Sequence, residues 1–291
     1  MMEQTKLIDK LIDLAIEEDI STGDITTTSI IPKASKAVAS MKAKASGVIS
    51  GIEIVKKVFE RFQKDIIWTP YKKNGDRVEV GDEILMIQGT YQALLEGERL
   101  SLNIFQRMCG IATETAKYVK EIQEFDTQIL DTRKTAPGLR VLDKMAVKDG
   151  GGTNHRMGLY DMVMIKDNHI KMAGSITKAV EQVRKSLQER KISGNDQVIR
   201  VEVETTNLAE VREALEAGAD IIMLDNMSND MMSEAVKIID HKADTEASGN
   251  MSVARLKGVA ATGVDFISVG ALTHSVVAMD ISMNIKEISN E

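Results

Sequence analysis

Residues 198–225 read VIRVEVETTNLAEVREALEAGADIIMLD and contain one complete unit of the fold. The apolar run before Glu204 predicts a buried strand. Asn207 predicts the start of a helix, and Gly218 predicts its end. A second apolar run then leads to Asp225. The stretch therefore predicts a strand, a helix and a second strand, with a carboxylate where each strand ends.

The same succession of strand, polar tip and helix recurs about six times. Apolar runs come before Arg133, Lys166, Glu204, Asp225 and Gly270, and a short stretch around Ala243 to Ala247 comes before Ser248. Strands that alternate with helices are typical of a parallel β/α array. In a closed or nearly closed array, the carboxyl ends of the strands converge on one face. We therefore expect these polar tips to share one mouth and to carry the function.

Cationic side chains are concentrated between Asp131 and Ile170, although the chain of 291 residues has a net charge of -7. They are Arg133, Lys134, His155, Arg156 and Lys166. Arg and Lys form strong, charge-assisted contacts with carboxylates and phosphates. A local group of cations in an acidic protein predicts a site for a small polyanion.

Composition excludes several classes of protein. Aromatic residues make up only 3% of the chain and the net charge is negative, which argues against nucleic-acid binding. No apolar run reaches the roughly 20 residues of a membrane span, and the N-terminus lacks the pattern of a secretory signal. The single Cys109 cannot form an internal disulfide and is expected to be an inert core thiol. These features favour a cytoplasmic enzyme.

Two domains are expected. Residues 1–110 mix strands and helices, and residues 111–275 form the β/α array. A long helix from Tyr91 to Tyr118 spans the junction and is expected to be interrupted or tightly packed near Gly110. Residues 276–291 are predicted to form a C-terminal helix that returns to the first domain.

Several motifs together resemble the quinolinate phosphoribosyltransferase family. In chain order they are GDITT, ASGVISG, ERLSLN, DTRKTAPGLR, GGGTNHRMGLYDMVMIKDNH, VEVE, LDN, EASGN and VGALTHS. The resemblance implies an incomplete seven-stranded β/α (TIM-like) barrel with an N-terminal α+β open sandwich domain. It also implies transfer of a phosphoribosyl group from phosphoribosyl pyrophosphate to quinolinate. Decarboxylation then gives nicotinate mononucleotide, diphosphate and CO₂ in NAD biosynthesis.

The resemblance also assigns roles to residues of this sequence. The residues implied to bind substrate are Arg99, Arg133, His155, Arg156, Lys166, Ser248, Gly249, Gly270, Ala271 and His274. The residues implied to be catalytic are Lys134, Lys166, Glu204 and Asp225. Mg²⁺ is implied near Glu204 and Asp225, through water or diphosphate, and no organic cofactor is implied. The implied assembly is a homodimer in which Arg99 reaches the partner's site, and the sequence leaves a hexamer open.

Each assignment has a simpler alternative. Glu202 and Glu204 both point to one side of their strand and could be structural carboxylates paired with Arg or Lys. The run Gly150-Gly151-Gly152 could be only a helix C-cap. His169 could cap the segment after Lys166 instead of binding substrate.

Three other functions also stay open from the sequence. The first is a related pyrophosphorylase-like protein associated with molybdate uptake, although the IKDNH motif favours the quinolinate enzyme. The second is an aldolase that forms a Schiff base at Lys166. The third is a sugar-phosphate sensor without catalytic activity.

Overall fold

The computed structural model describes residues 2–192 and 198–288, which form two compact units. The first unit comprises the residues up to Ala116, the segment Thr135–Gly151 and the residues from Leu272 onward. The second comprises Lys117–Lys134 and Gly152–Ala271. Residues 1, 193–197 and 289–291 of the predicted domains lie outside the described residues.

The elements are numbered in chain order. The helices are α1 (Met2–Asp19), α2 (Ile25–Ile30), α3 (Ile52–Phe62), α4 (Tyr91–Glu121), α5 (Arg140–Asp149), α6 (Asp167–Ala173), α7 (Ile176–Ile192), α8 (Leu208–Glu216), α9 (Asn229–Ile239), α10 (Val253–Ala260) and α11 (Ala271–His274). The strands are β1 (Lys36–Ala43), β2 (Gly47–Val48), β3 (Ile67–Pro70), β4 (Arg77–Val78), β5 (Glu83–Thr90), β6 (Gln128–Leu130), β7 (Val163–Ile165), β8 (Val201–Thr205), β9 (Ile221–Asp225), β10 (Asp244–Ser248), β11 (Phe266–Ser268) and β12 (Ile281–Glu287). No described helix is both long enough and apolar enough to cross a membrane.

The first unit contains an antiparallel sheet in the order β12-β1-β5-β3 and a smaller pair, β2-β4. Alternate residues of β1, from Ala37 to Ala43, are fully buried. They pack in one core with Phe59 of α3 and Phe105 of α4. This alternation is what a sheet with one covered face requires, and it confirms the predicted α+β character of this region.

The C-terminal segment corrects the prediction of a helix over residues 276–291. Residues Ile281–Glu287 form β12, which pairs antiparallel with β1, and Met283 lies opposite Met41. Apolar residues alternate with Ser282, Asn284 and Lys286, and this period of two belongs to a strand. The last three residues of the predicted helix lie outside the described part of the chain.

The long helix α4 continues through Gly110 and is tightly packed there. A Cβ atom added to Gly110 would lie 2.2 Å from the carbonyl oxygen of Val277. Glycine therefore permits close backbone contact at this position instead of breaking the helix.

The interpretation of Gly150-Gly151-Gly152 as a helix C-cap holds in part, because Gly150 is the C-cap of α5.

The second unit is built on a parallel sheet in the order β6-β11-β10-β9-β8-β7. Thr153 adds a one-residue parallel bridge to Leu130 of β6. Asn207, Ser228 and Ser252 are the N-cap residues of α8, α9 and α10. The six strands lie where the sequence predicts them, so the β/α fold is confirmed.

Candidate active site

A cavity of about 310 Å³ lies at the carboxyl ends of the strands of the second unit. It is lined by Thr132, Arg133, Lys134, His155, Arg156, Met164, Lys166, Glu204, Met223, Asp225, Glu246, Ser248 and Ser268. Each of the six strands contributes a residue at or just beyond its carboxyl end. The parallel sheet therefore brings side chains that are far apart in sequence into one cavity.

Eight of the predicted site residues line this cavity: Arg133, Lys134, His155, Arg156, Lys166, Glu204, Asp225 and Ser248. Gly249 follows Ser248 directly, and Gly270 and Ala271 come shortly after β11, but these three do not belong to the lining. Arg99 is exposed on α4 in the first unit. His274 also belongs to the first unit, where its Nδ1 lies 2.7 Å from Oγ of Ser275.

Arg156 is held in place from both sides of its guanidinium. Nη1 donates a hydrogen bond of 3.1 Å to the carbonyl oxygen of Met162, and Nη2 lies 3.6 Å from Sδ of Met164. The loop that follows is closed by Asp161, whose carboxylate accepts the backbone N–H of Met157. Burial and then the neighbouring Arg133 lower the pKa of Arg156. Two guanidiniums this close in a partly buried site favour an anion between them.

Lys166 and Glu204 form an ion pair at the tips of neighbouring strands. Nζ of Lys166 lies 2.5 Å from Oε2 of Glu204. The backbone N–H of Lys166 donates to Nδ1 of His169 at 3.0 Å. His169 therefore caps the start of α6, which is the structural role that the sequence left open for it. An ammonium in an ion pair has no lone pair for attack on a carbonyl, which argues against a Schiff-base aldolase.

Asp225 is fixed by the residue that follows it. Nδ2 of Asn226 donates a hydrogen bond of 2.8 Å to Oδ2 of Asp225. The backbone N–H of Asn226 donates to the carbonyl oxygen of Ser248 at 3.0 Å. Asn226 has a positive φ of 54°, a conformation that asparagine tolerates better than most residues. The end of β9 and the loop after β10 are thereby joined.

Below these tips lies a charged group, His155, Glu202 and Glu246. Nε2 of His155 lies 3.1 Å from Oε2 of Glu202 and 3.3 Å from Oε2 of Glu246. Burial lowers the pKa of His155, but the two carboxylates outweigh it and raise the pKa to about 10. Burial and then Glu246 raise the pKa of Glu202 to about 7. The structural alternative, pairing with Arg or Lys, holds for Glu204, which pairs with Lys166, whereas the side chain close to Glu202 is His155.

Glu246 is the main residue that the sequence reasoning did not single out. It is buried within β10, two residues before Ser248, and so lies on the same face of the strand. The strand reads DTEAS, and its mostly polar sequence gave no signal that Glu246 would be buried. Thr132, Met164, Met223 and Ser268 were also missed as lining residues, and their residue types alone carry no signal either.

Comparison with known families agrees with this arrangement. The family model for the quinolinate phosphoribosyl transferase N-terminal domain matches residues 24–109, and that for the C-terminal domain matches residues 111–284. The chain belongs to the quinolinate phosphoribosyl transferase family.

Individual relatives of this phosphoribosyl transferase cover nearly the whole chain. The probable nicotinate-nucleotide pyrophosphorylase [carboxylating] of Bacillus subtilis is 43% identical over 97% of this chain and 94% of the relative. The mitochondrial quinolinate phosphoribosyltransferase [decarboxylating] 2a of Nicotiana tabacum is 44% identical over 94% of this chain and 81% of the relative.

Solved structures give the same result. The crystal structure of NadC from Streptococcus pyogenes has a TM-score of 0.91 and 38% identity, and the match covers 97% of each chain. The nicotinate-nucleotide pyrophosphorylase from Francisella tularensis has a TM-score of 0.89 and 38% identity, with 97% of this chain and 96% of the other covered. These matches support the quinolinate family over the molybdate-associated relative.

Proposed function

We propose that this member of the family transfers a phosphoribosyl group from phosphoribosyl pyrophosphate to quinolinate and releases diphosphate and CO₂. The product is nicotinate mononucleotide, a precursor of NAD. One observation carries the proposal: two guanidiniums, two ammonium groups and three carboxylates line a single cavity at the strand ends. Both substrates are polyanions, and the sugar between them develops positive charge during transfer.

Arg133 and Arg156 bind the two carboxylates of quinolinate. A planar guanidinium can donate two parallel hydrogen bonds to a carboxylate, which fixes the orientation of the pyridine ring. The ordered position of Arg156 supports this role, since its contacts with Met162 and Met164 leave little freedom to the guanidinium. Orientation is important because the ring nitrogen must face the anomeric carbon of the sugar.

Glu204 and Asp225 face the ribose, where carboxylates stabilise the positive charge that develops as diphosphate leaves. Lys134 and Lys166 neutralise the diphosphate. Mg²⁺ prefers oxygen ligands and usually binds through one or two carboxylates together with substrate phosphates, so Glu204 and Asp225 fit it. When bound, this ion stabilises negative charge on the leaving diphosphate.

The loop after β10 binds the 5′-phosphate of the sugar. Ser248 lines the cavity, and Gly249 directly after it has a φ of 99°, a conformation that glycine adopts readily. Backbone N–H groups in such a loop bind phosphate well, and α10 begins shortly after it. Gly270 and Ala271 take part in the same way at the end of β11, and His274 orients this region.

The chemistry needs no side-chain nucleophile. The pyridine nitrogen attacks the anomeric carbon, and the bond to the diphosphate oxygen breaks. The ring then carries a positive nitrogen, which stabilises the carbanion left on the adjacent carbon when the carboxyl group departs as CO₂. A proton replaces that carboxyl group. The protein therefore acts by positioning and by charge neutralisation.

The proposal includes the assembly and the compartment. Arg99 is exposed on α4, as a side chain donated to the site of a partner subunit in a homodimer requires. Further assembly into a hexamer is left to measurement of the molar mass. The setting is the cytoplasm, where a chain with a single cysteine needs no oxidising environment.

One assay tests the activity. Purified protein is mixed with quinolinate, phosphoribosyl pyrophosphate and Mg²⁺, and nicotinate mononucleotide and diphosphate are followed together. We expect the two products in equal amounts and only when both substrates are present. Binding of phosphoribosyl pyrophosphate without release of diphosphate would instead support the sensor.

A further inference from the structure

We propose that Arg255 is a positioning residue that joins two loops of the active site, the loop after β9 and the loop after β10. This inference deepens the proposed function and rests on it. Arg255 belongs to α10 and does not line the cavity. It therefore acts on the reaction through the two loops and not through contact with a substrate.

The two loops begin side by side. β9 and β10 are parallel neighbours, and Asp225 at the end of β9 lies opposite Ser248 at the end of β10. One residue further on, the backbone N–H of Asn226 donates to the carbonyl oxygen of Ser248 at 3.0 Å. Asn226 has a φ of 54° and Gly249 has a φ of 99°, so both chains leave the extended conformation of a strand here. The regular ladder between the strands therefore ends at this point.

The guanidinium of Arg255 continues the connection beyond the ladder. Nη1 donates a hydrogen bond of 2.8 Å to the carbonyl oxygen of Gly249, and Nη2 donates one of 3.0 Å to the carbonyl oxygen of Met227. Two carbonyl oxygens are both acceptors and cannot bond to each other. A planar guanidinium carries donors on two adjacent nitrogens, so one side chain can hold both oxygens. Arg255 is thus a bridge between the loops.

Burial gives this bridge its importance. Met227 is only 2% exposed, and Gly249 and Arg255 are partly buried. A buried carbonyl that loses its donor costs free energy, because water does not readily replace the hydrogen bond. The backbone N–H of Arg255 donates to the carbonyl oxygen of Ser252 at 2.9 Å, so the side chain starts from an ordered turn of α10. These contacts favour one arrangement of the two loops.

Each loop carries a group that the proposed reaction uses. In the loop after β9, Nδ2 of Asn226 donates at 2.8 Å to Oδ2 of Asp225, the carboxylate that we place beside the ribose. In the loop after β10, the peptide unit that follows Gly249 is trans, so its N–H points away from the carbonyl that Arg255 holds. Anions bind the N–H side of a peptide, so the bridge determines which side of the phosphate loop offers donors. Loss of Arg255 would release both groups together.

Two substitutions separate the bridge from a simple effect of positive charge. Arg255→Ala removes the bridge and the charge, whereas Arg255→Lys keeps the charge but lacks the paired nitrogens of a guanidinium. We expect the KM for phosphoribosyl pyrophosphate to rise about 10-fold in Arg255→Ala and at least about 5-fold in Arg255→Lys. A KM at the wild-type value in Arg255→Lys would mean that charge alone is required and would overturn the proposal.

The second substrate provides an internal comparison. The Kd for quinolinate is measured by calorimetric titration without phosphoribosyl pyrophosphate. It should change by less than about 2-fold in both variants, because the proposed partners of quinolinate, Arg133 and Arg156, do not belong to the loops that Arg255 joins. If the affinity for quinolinate falls as much as that for phosphoribosyl pyrophosphate, the effect of Arg255 is a general loss of structure and the assignment is wrong.

Arg184 offers a matched control in the same unit. Its Nη2 donates at 2.7 Å to the carbonyl oxygen of Gly218 and lies 2.9 Å from Oδ2 of Asp220. This arginine also bonds a backbone carbonyl of a loop, but Gly218 and Asp220 come before β9, at the amino end of the strand and away from the cavity. Arg184→Ala should therefore leave the KM for phosphoribosyl pyrophosphate within about 2-fold of the wild-type value. A rise equal to that of Arg255→Ala would contradict a specific role for Arg255.

Amide hydrogen exchange, followed by mass spectrometry, gives a measurement independent of turnover. We expect faster exchange in Arg255→Ala over residues 226–228 and also over residues 248–251, with no change over residues 205–207 after β8. Exchange that stays unchanged in either of the two loops would refute the bridge. Thermal unfolding shows whether each variant folds; if Arg255→Ala does not, Arg255→Gln, which has a single donor nitrogen, replaces it. A wild-type protein that forms no nicotinate mononucleotide contradicts the proposed function, whereas the exchange result still decides whether Arg255 joins the loops.

Discussion

Asn226 and Gly249 are packed so closely that a Cβ atom added to Gly249 would lie 2.2 Å from Oδ1 of Asn226. The amide nitrogen of the same Asn226 holds the carboxylate of Asp225. A side chain at position 249 must therefore displace Asn226, and with it the carboxylate that we place beside the ribose. The backbone at Gly249 also has a φ of 99°, which side chains rarely adopt.

We predict that Gly249→Ala raises the KM for phosphoribosyl pyrophosphate and lowers kcat, with a combined loss in kcat/KM of about 100-fold. Steady-state kinetics with each substrate varied in turn measures this. The matched control is Gly218→Ala at the end of α8, which also has a positive φ but has nothing within 4 Å of the added Cβ. The control should cost only about 1 kcal/mol of stability and leave kcat/KM unchanged. Equal activity losses in the two variants would show that backbone strain alone is responsible.

Arg133 provides a second prediction. Arg133→Ala removes a guanidinium from the cavity and should abolish turnover, with kcat/KM reduced by about 1,000-fold or more, because quinolinate loses a charge-assisted partner. The melting temperature should stay close to that of the wild type. Arg212→Ala, on the exposed side of α8, is the control and should keep full activity. Near-normal turnover of Arg133→Ala would count against the assigned role.

Much of the fold follows from local patterns in the sequence. The alternation of apolar strands and capped helices predicts β6 to β11. The helices between the later strands begin at recognisable N-cap residues, namely Asn207, Ser228 and Ser252. The C-terminal strand was missed because Ser275–Ile288 contains apolar residues at spacings compatible with a helix as well. Its pairing with β1, more than 230 residues earlier, selects the strand.

The site was predictable to the extent that its residues lie at strand ends. Arg133, Lys166, Glu204 and Asp225 share a cavity because the parallel topology requires it. The partners of His155 were not predictable in the same way. Glu202 and Glu246 lie near His155 only because the fold brings β8 and β10 together around it, and no spacing in the sequence indicates this contact.

The first unit has a buried ion pair that should matter for stability. Arg107 donates two hydrogen bonds of 2.9 Å to the carboxylate of Asp143, which is fully buried. Burial raises the pKa of Asp143, and the guanidinium of Arg107 opposes this. We predict that Asp143→Asn lowers the free energy of unfolding by about 3 kcal/mol, since Arg107 is left with an uncompensated charge.

The control for this prediction is a surface pair with the same kinds of charge. Lys56 and Glu60 lie 3.6 Å apart on α3 and are both exposed. Glu60→Gln should change the free energy of unfolding by no more than about 0.5 kcal/mol. Urea denaturation of the three proteins makes the comparison, and an Asp143→Asn effect as small as that of Glu60→Gln would contradict the importance of the buried pair.

Cys109 gives a prediction with a defined pH dependence. Its side chain is fully buried, and burial raises its pKa from 9.0 to about 12. Between pH 9 and about 12 the thiol ionises only in the unfolded chain. Ionisation therefore lowers the free energy of the unfolded state and leaves that of the folded state unchanged. The contribution of Cys109 to stability is therefore fully present below about pH 9 and decreases as the pH rises toward about 12.

The variant Cys109→Ala has no thiol and therefore lacks this titration. The stability difference between wild type and variant should be about 1.4 kcal/mol smaller at pH 10 than at pH 8, as measured by urea denaturation. A difference that stays constant over this range would mean that the thiol ionises as readily in the folded protein as in the unfolded chain.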